Sequence, residues 1–445
     1  MKIRLVPSLL FLLIAGTSGG QDVLRFSLEE ANGYALKNSY VVRNSGLDVD
    51  AAKKKVWETI ADGLPQVSGS AAYNNYLNLP TQLIPGDFVG GEPGTYIEVQ
   101  FGQDYDSRYG FTVNQLIFDG SYLVGVGSAR IYLRLADQNR EKTELEIKHS
   151  VEQAYCSVLV AEENLVVMRE NLENSRKLEK ETRLMYQNGF VEEQDVDQMK
   201  LLVQKAENEI LKTEREIRVA RMVLKYTMGV DMDTEIRLTD TLGRFVKPLL
   251  ADEAKAAPGF DFTSHIDYRL LDTQRQGSKK LLLNEKSAYL PKISAFYDWN
   301  KTAYGNSANL FRDHVPWYKS SMWGINVTVP IFASGQKMAK VRQAALELEK
   351  AENNQKQAVQ LLQKDYLTAV ADMESSVDQL KNDEGNKLLA KRIYEKTVIK
   401  YQNGITGSTD LSQTESQYIQ SQAAWVGSVM QLLTSKINLD RATGK

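Results

Sequence analysis

Hydrophobic and polar positions follow two different periods along this chain, and each period fills its own stretches. Over residues 151–172 and 196–224, apolar side chains recur at steps of three and four, which is typical of helices that pack side by side. The same spacing returns over residues 359–373 and 411–432. Alanine, serine and threonine are common in these seams, so neighbouring helices can approach closely. The pattern predicts long helices that pack into a curved wall.

Four other stretches alternate between apolar and polar residues with a period of two, which predicts β-strands. The clearest stretch places Trp323, Ile325, Val327, Val329 and Ile331 on one face. Residues 67–74, 111–117 and 293–300 alternate in the same way, although Phe296 interrupts the polar face of the last. A half-buried strand of a soluble sandwich gives the same alternation, so this pattern alone leaves the kind of sheet open.

Four landmarks occur twice in the same order, each pair separated by a similar number of residues. Tyr186–Gly189 has the same four residues as Tyr401–Gly404, and six residues after each glycine stands an aspartate, Asp195 or Asp410. Upstream, residues 64–71 resemble 290–295, and residues 116–120 resemble 330–335. Recurrence in one order indicates an internal duplication. Each half is predicted to run helix, strand, strand, long helix, long helix.

Each pair of long helices is predicted to reverse at an Asn-Gly turn, because glycine adopts the left-handed conformation that a helix end prefers. Residues 128–187 lack proline and would extend ~90 Å as one helix. The predicted division is a signal peptide (1–20), an N-terminal helix (21–64), a β-hairpin (65–119), a long helical hairpin (120–228), an equatorial mixed segment (229–264), a helix (265–290), a second β-hairpin (291–332) and a second long helical hairpin (333–445). Residues 79–96, rich in proline and glycine, are predicted to be an exposed loop.

The first twenty residues have the features of a secretory signal peptide. Lys2 and Arg4 precede an apolar run over Leu9–Ala15, and small residues precede Gln21; a buried N-terminal helix is the alternative. The only cysteine, Cys156, has no disulfide partner. After the leader, no apolar run approaches the roughly 18 residues of a transmembrane helix. A membrane-spanning part would therefore be a closed β-barrel.

Charge and motif content argue against nucleic-acid binding and catalysis. The formal net charge is −3, and loss of the leader with its two basic residues makes it more negative, so no basic excess points to nucleic acid. His149, His265 and His314 share no ligand spacing with cysteines or acids. Gly86–Gly94 lacks the ending of a phosphate loop. The sequence predicts no enzyme, no cofactor and no metal site.

The doubled order of elements resembles the TolC-type outer-membrane efflux protein family. The stretches that carry the resemblance are Phe26–Ala31, both Leu-Pro strand starts and both Tyr-x-x-Gly turns with their aspartates. It implies an α+β membrane protein: a trimeric twelve-stranded β-barrel, with four strands per chain, continued by a long α-helical periplasmic barrel of coiled-coil hairpins. It also implies an outer-membrane location with a periplasmic extension. The implied partners are two further copies of the chain, a periplasmic adaptor protein, an inner-membrane pump and outer-membrane lipid.

The resemblance assigns a gate to the periplasmic ends of the hairpins. Asp195 and Tyr401 match positions that bond the two hairpins in the closed state. Asp410 matches an acidic ring at the aperture, where carboxylates favour cations. Gln413 stands where some members carry a second acidic ring, and Thr406 stands where some carry an arginine of the latch. For both aspartates, a first-turn acid that stabilises its own helix is the alternative.

The turns themselves match the tips at which pump adaptors dock, and this assigns docking to Asn188, Gly189, Asn403 and Gly404. The predicted function is the exit duct of a tripartite efflux or type I secretion system, with passive transport from the periplasm to the outside. Two alternatives remain: an exported structural coiled-coil protein, and a periplasmic adaptor of the same pumps, which should have one helical hairpin rather than two.

Overall fold

The computed structural model describes residues 23–88, 90, 92–251 and 260–445, so the predicted signal peptide of residues 1–20 lies outside the described residues. The strands are β1 (Leu24–Phe26), β2 (Gln66–Asn75), β3 (Thr81–Pro85), β4 (Tyr96–Gln100), β5 (Tyr105–Asp119), β6 (Ile236–Leu238), β7 (Lys292–Gly305) and β8 (Trp317–Thr328). The helices are α1 (Leu28–Asn38), α2 (Tyr40–Ala61), α3 (Gly120–Gln187), α4 (Glu193–Met228), α5 (Leu242–Ala251), α6 (Ile266–Ser287), α7 (Gln336–Gln402) and α8 (Ser408–Thr443). Short 3₁₀ turns occupy Gly86–Phe88 and Phe262–Ser264.

These elements divide between two compact units. Of the described residues, those within Met1–Gly46, Arg140–Ile266 and Val359–Lys445 form unit 1, and those within Leu47–Asn139 and Asp267–Ala358 form unit 2. Each unit therefore draws on both halves of the chain. Within the described ranges, no helix is both long enough and apolar enough to cross a membrane.

Unit 2 contains a four-stranded antiparallel sheet in the order β2-β5-β7-β8. The strands overlap the stretches that alternate with a period of two, but β8 begins at Trp317 and ends at Thr328, before Val329 and Ile331. The sheet joins the two halves of the chain through its central pair, in which Val113 of β5 lies opposite Tyr297 of β7. Strands β2 and β8 form its two edges.

The two faces of this sheet differ in chemistry, because directly opposite residues of antiparallel strands share a face. One face, here called the apolar face, carries Val67, Phe111, Val113, Ile293, Ala295, Tyr297, Trp299, Trp323, Ile325 and Val327. On the other, polar face, Asp298 accepts hydrogen bonds from Thr112 at 2.8 Å and Asn300 at 2.7 Å. Phe296 is on the polar face and covers Gly324, where a Cβ atom would come within 2.8 Å of the ring.

The stretch predicted as an exposed loop over residues 79–96 is partly ordered as a small β-hairpin. Strands β3 and β4 pair antiparallel, with Leu83 opposite Glu98 and Ile84 opposite Ile97. The prolines and glycines that predicted a loop lie mainly in the turn between these strands. A turn-rich composition thus concealed two five-residue strands.

The segment predicted as one N-terminal helix over residues 21–64 contains a short strand and two helices. Ser27 caps α1, and its N–H donates to the Glu30 carboxylate at 2.8 Å, in a capping box. Ser39 then leaves the helical conformation, with ψ 128°, and separates α1 from α2. Strand β1 pairs in parallel with β6, Leu24 opposite Ile236.

The core of unit 1 lies where β1, β6, α1, α3 and α4 meet. Tyr155 of α3 is fully buried there, and its hydroxyl lies 2.9 Å from the Phe26 carbonyl and 3.0 Å from the Asp240 carboxylate. Asp240 also accepts from the Leu28 N–H at 2.8 Å. A second cluster, which includes Cys156, packs α3 and α5 against α7 and α8.

Candidate functional site

Both long hairpins of unit 1 reverse at a glycine in the left-handed conformation. The φ angle is +78° at Gly189 and +71° at Gly404. In each turn the side-chain amide of the preceding residue, Asn188 or Asn403, donates at 2.7 Å to the carbonyl four residues earlier. Each of these carbonyls also accepts the backbone N–H of the same asparagine at 3.2 Å, so the side-chain amides reinforce the last turn of each helix. The four residues predicted to dock an adaptor are all exposed at these turns.

An apolar side chain follows each of these glycines and projects into solvent. Phe190 is 78% exposed and Ile405 is 72% exposed. Their backbone N–H groups donate at 2.9 Å to Met185 and Lys400, the closing bonds of a Schellman turn. This pair was not predicted from the sequence, although the repeat itself contains the signal: both Asn-Gly turns continue directly into a large apolar residue.

Tyr401 is buried at the end of α7. It is 3% exposed and packs with Leu178, Met199 and Leu411, so residues of α3, α4, α7 and α8 meet there in one cluster. Its hydroxyl donates to Oγ1 of Thr182 on α3 at 3.1 Å. Burial raises the pKa of Tyr401, and the nearby charge of Asp195 adds to that effect while the Thr182 bond opposes it. The phenol therefore stays protonated at physiological pH.

Asp195 lies in the first turn of α4 and is half-buried. Its carboxylate accepts the backbone N–H of Glu192 at 3.0 Å. This is the helix-capping role that the sequence analysis kept open as an alternative. The charge of Asp195 acts on Tyr401, yet the Tyr401 proton goes to Thr182 in this conformation. The latch between Asp195 and Tyr401 stays a prediction.

Asp410 and Gln413 are exposed in the first turns of α8. They are three residues apart, a spacing that places them on the same side of a helix. The hydroxyl of Thr406 donates to the Asp410 carboxylate at 2.6 Å. Where some family members carry an arginine, this chain therefore has a neutral donor that stabilises Asp410 locally. The acidic ring also stays a prediction.

Buried polar bonds connect the two hairpins above the tips. Ser175 of α3 donates to Glu415 of α8 at 2.6 Å, and Asn171 donates to Gln422 at 2.5 Å. Glu415 is 4% exposed, and its second carboxylate oxygen lacks a hydrogen-bond partner among the described residues. Burial raises the pKa of Glu415, while the bond from Ser175 and the charge of Lys205 lower it. This glutamate was not predicted from the sequence, although it stands four residues after the seam residue Leu411 and therefore shares that face of the helix.

Across the part of the chain that the structure describes, no three or more His, Cys, Asp or Glu side chains come together as a metal site would require. The imidazole of His149 instead lies 3.0 Å from the Lys445 carbonyl, and that of His265 lies 3.2 Å from the Arg441 carbonyl. Both histidines contact the end of α8.

A doubled unit of paired strands followed by a long helical hairpin defines a class of outer-membrane efflux proteins. The model of the family described as outer membrane efflux protein matches residues 33–230 and 284–445. The match covers well over half of the sequence, and the chain belongs to this family. It is a family of channels and not of enzymes.

Solved structures of the same fold include several bacterial channels. CusC, studied for folding and transmembrane channel formation, shares 16% identity over 94% of this chain and 92% of its own, with a TM-score of 0.73. The CmeC outer membrane channel of Campylobacter jejuni shares 17% identity over 94% and 85%, with a TM-score of 0.70. The open state of the Neisseria gonorrhoeae MtrE outer membrane channel shares 17% identity over 94% and 88%, with a TM-score of 0.70. A search of curated proteins found no match.

Proposed function

We propose that this protein is the outer-membrane exit duct of a tripartite efflux or type I secretion system. It provides a passive route to the outside for substrates delivered by a periplasmic adaptor and an inner-membrane pump. Three copies assemble around one axis, and each gives β2, β5, β7 and β8 to a twelve-stranded barrel. The helical hairpins continue the barrel into the periplasm.

The observation that carries this proposal is the two-faced sheet of unit 2. Its apolar face exposes large side chains, with Trp323 74% exposed and Ile325 57% exposed. Its opposite face carries Asp298, Asn300 and Thr112 in a hydrogen-bonded group. Apolar-out and polar-in alternation is what a transmembrane barrel with an aqueous interior requires. A soluble protein would leave this apolar face unfavourably exposed to water.

The edges of the sheet support assembly from several chains. Edge strands β2 and β8 present backbone donors and acceptors to whatever lies beside them, and inside a bilayer such groups have to be paired. Four strands are too few to close on themselves. Pairing β8 of one copy with β2 of the next removes both edges and closes the ring with three copies.

In this proposal the hairpin tips form the gate and the docking surface. Asn188, Gly189, Asn403 and Gly404 contact the adaptor. The cluster around Tyr401 supports the gate role, because all four long helices of unit 1 meet there. A latch forms when Tyr401 exchanges Thr182 for Asp195 as its acceptor. Such a charge-assisted bond contributes roughly 1.5–3 kcal/mol.

The aperture residues complete the gate. Asp410 from three copies forms a ring of carboxylates around the axis and favours cations over anions. Gln413 adds a neutral ring and Thr406 a neutral donor, so the constriction carries one acidic ring. We expect D410N to lower the cation selectivity of the channel.

The test is single-channel conductance of the mature protein in a planar bilayer. We expect a small, cation-selective conductance for the wild type and a larger one for D195N/Y401F. Asparagine at position 195 keeps an oxygen for the Glu192 N–H, so the variant loses the latch charge but not the helix cap. The matched control is D197N/Y226F, which makes the same chemical changes at two exposed positions of α4.

The outcomes separate the proposed function from its gate. Equal conductance in wild type and D195N/Y401F would keep the duct and leave Asp195 as a helix cap only. A folded, detergent-extracted oligomer that forms no channel would refute the duct and favour an exported structural protein. Extraction without detergent as a monomer would favour the soluble adaptor alternative.

A further inference from the structure

The apolar face of the unit 2 sheet carries two charged residues, and both are lysines. Lys301 of β7 lies directly opposite Lys319 of β8 in the strand register, so their side chains share the same face. The other charged residues of the four strands lie on the polar face: Asp106, Arg108, Asp119, Lys292 and Asp298. The paired lysines are therefore the exception on an otherwise uncharged surface.

Like charges directly opposite each other on adjacent strands are destabilising. Within the described residues, neither Lys301 nor Lys319 forms an ion pair or a hydrogen bond with a carboxylate, and the apolar face offers them no acid. An anion bound between the two ammonium groups would replace this repulsion with two attractive contacts. Lysine is a common ligand of phosphate groups in proteins.

The position of the pair along the strands indicates where such an anion would come from. Lys301 is the ninth residue counted from Ile293, the first residue of β7 on the apolar face, and a tilted strand crosses a bilayer in about 9–11 residues. The α6 helix precedes β7 at the Ile293 end, so the lysines lie toward the opposite end of the sheet, close to the β7–β8 loop. That height is the headgroup level of the leaflet on the loop side.

Aromatic rings surround the pair in the way expected at a membrane interface. The ring of Tyr109, which lies opposite Lys301 on β5, is 5.0 Å from that of Trp317 and 6.3 Å from that of Trp299. Amphipathic rings of this kind favour the headgroup region. The apolar rows below them suit acyl chains, while the lysines suit a charged headgroup.

We propose that Lys301 and Lys319 together bind the phosphate group of a phosphorylated membrane lipid in the leaflet on the loop side of the sheet. The site rests on the proposed function, because only a membrane-embedded sheet would meet lipid at this level. Each copy of the chain carries one such site. The bound lipid neutralises the lysine pair and fixes the vertical position of the sheet in its leaflet.

The test compares lipid binding to the full-length protein in detergent by native mass spectrometry. The probes are bisphosphorylated lipid A and the same lipid after removal of both phosphates. We expect the wild type to bind the phosphorylated probe at least tenfold more tightly than K301Q/K319Q does, and both proteins to bind the dephosphorylated probe alike. K350Q/K356Q removes two lysines from α7 and serves as the control of equal charge; it should match the wild type.

A second variant and a second readout guard against misfolding. K301R/K319R retains both charges and should keep the preference for the phosphorylated probe. In detergent without lipid, K319Q should have a thermal midpoint at or above that of the wild type, because the repulsion is removed. A lower midpoint for K319Q would overturn the argument from opposed charges.

Equal affinity of wild type and K301Q/K319Q for phosphorylated lipid A would overturn the site. So would an equal loss of affinity for both probes, since contact with acyl chains alone would explain it. The proposed function fails in a different way: the wild type would form no channel and bind neither probe. A channel-forming wild type without phosphate preference refutes the lipid site alone.

Discussion

Replacing Tyr401 with phenylalanine isolates one buried hydroxyl at the meeting point of the four long helices of unit 1. The phenol donates to Thr182 at 3.1 Å, and Thr182 is fully buried, so water cannot easily replace the lost partner. A net hydrogen bond contributes about 1 kcal/mol, and an orphaned buried group costs more. A helical threonine can turn to a carbonyl of its own helix, which limits the cost. We therefore expect local opening at the tip to become easier by about 1 kcal/mol, roughly a fivefold change in the opening equilibrium.

Hydrogen exchange measured by mass spectrometry on peptides from the ends of α3 and α7 reports this local opening. We expect about fivefold faster exchange there in Y401F and little change elsewhere. Y186F is the matched control, because Tyr186 stands at the equivalent position of the first hairpin and is 42% exposed. It should exchange like the wild type.

Double-mutant cycles identify the partner of the Tyr401 hydroxyl. If the bond to Thr182 carries the effect, Y401F should add little to T182V, whereas Y401F and D195N should add independently. The reasoning is refuted if Y401F leaves exchange unchanged, or if its effect is the same size in the T182V background. Coupling to D195N in exchange would show that Asp195 already accepts this proton in the resting protein.

Three further changes test neighbouring features. Burial raises the pKa of Glu415, so the stability that the protonated carboxyl provides is fully present below the unfolded pKa of about 4.3 and is lost as pH rises through the folded pKa. E415Q should therefore raise the thermal midpoint at pH 8 and change it little at pH 4. An equal change at both pH values would contradict this. Gly404 has φ +71° and Gly407 has φ −88°, so G404A should ease tip opening by about 1–2 kcal/mol in hydrogen exchange. G407A has open space around it and loses only the N-cap preference for glycine, so it should ease opening less; equal effects would contradict this. L411A removes a fully buried side chain and should cost about 2–5 kcal/mol in the same measurement; an unchanged exchange rate would contradict this.

The sequence predicted the parts of this fold that depend on periodicity and repetition. Alternation indicated the four strands of the unit 2 sheet. The register explains why this pattern is clear in the sequence: one face of the sheet is apolar, and the other carries hydrogen-bonded polar residues. Phe296 was an apparent violation from sequence alone. It is explained by Gly324, whose missing side chain leaves room for the ring. The sequence alone does not show which glycine lies opposite which phenylalanine on a neighbouring strand.

Features that depend on local backbone choice or on contacts distant in sequence were not predicted. The break between α1 and α2 falls at Ser39, whose ψ of 128° lies outside the helical region; serine also occurs inside helices, so the residue type did not mark the break. Glu415 is buried because Ser175, 240 residues earlier, lies against it. For Asp195 the sequence kept two roles open. The structure supplies the capping bond, and the gate role awaits the conductance test.

If three copies close the barrel as proposed, the open edges of the unit 2 sheet affect each chain before it meets the other two. Until β2 and β8 pair with strands of other copies, each chain exposes two unpaired strand edges and a large apolar surface. Such edges pair with any available strand, including strands of the wrong chain. Correct closure of the barrel therefore competes with aggregation, and the balance depends on the local concentration of newly made chains. Conditions that delay assembly should therefore cause aggregation through the unit 2 sheet before they unfold the helices of unit 1.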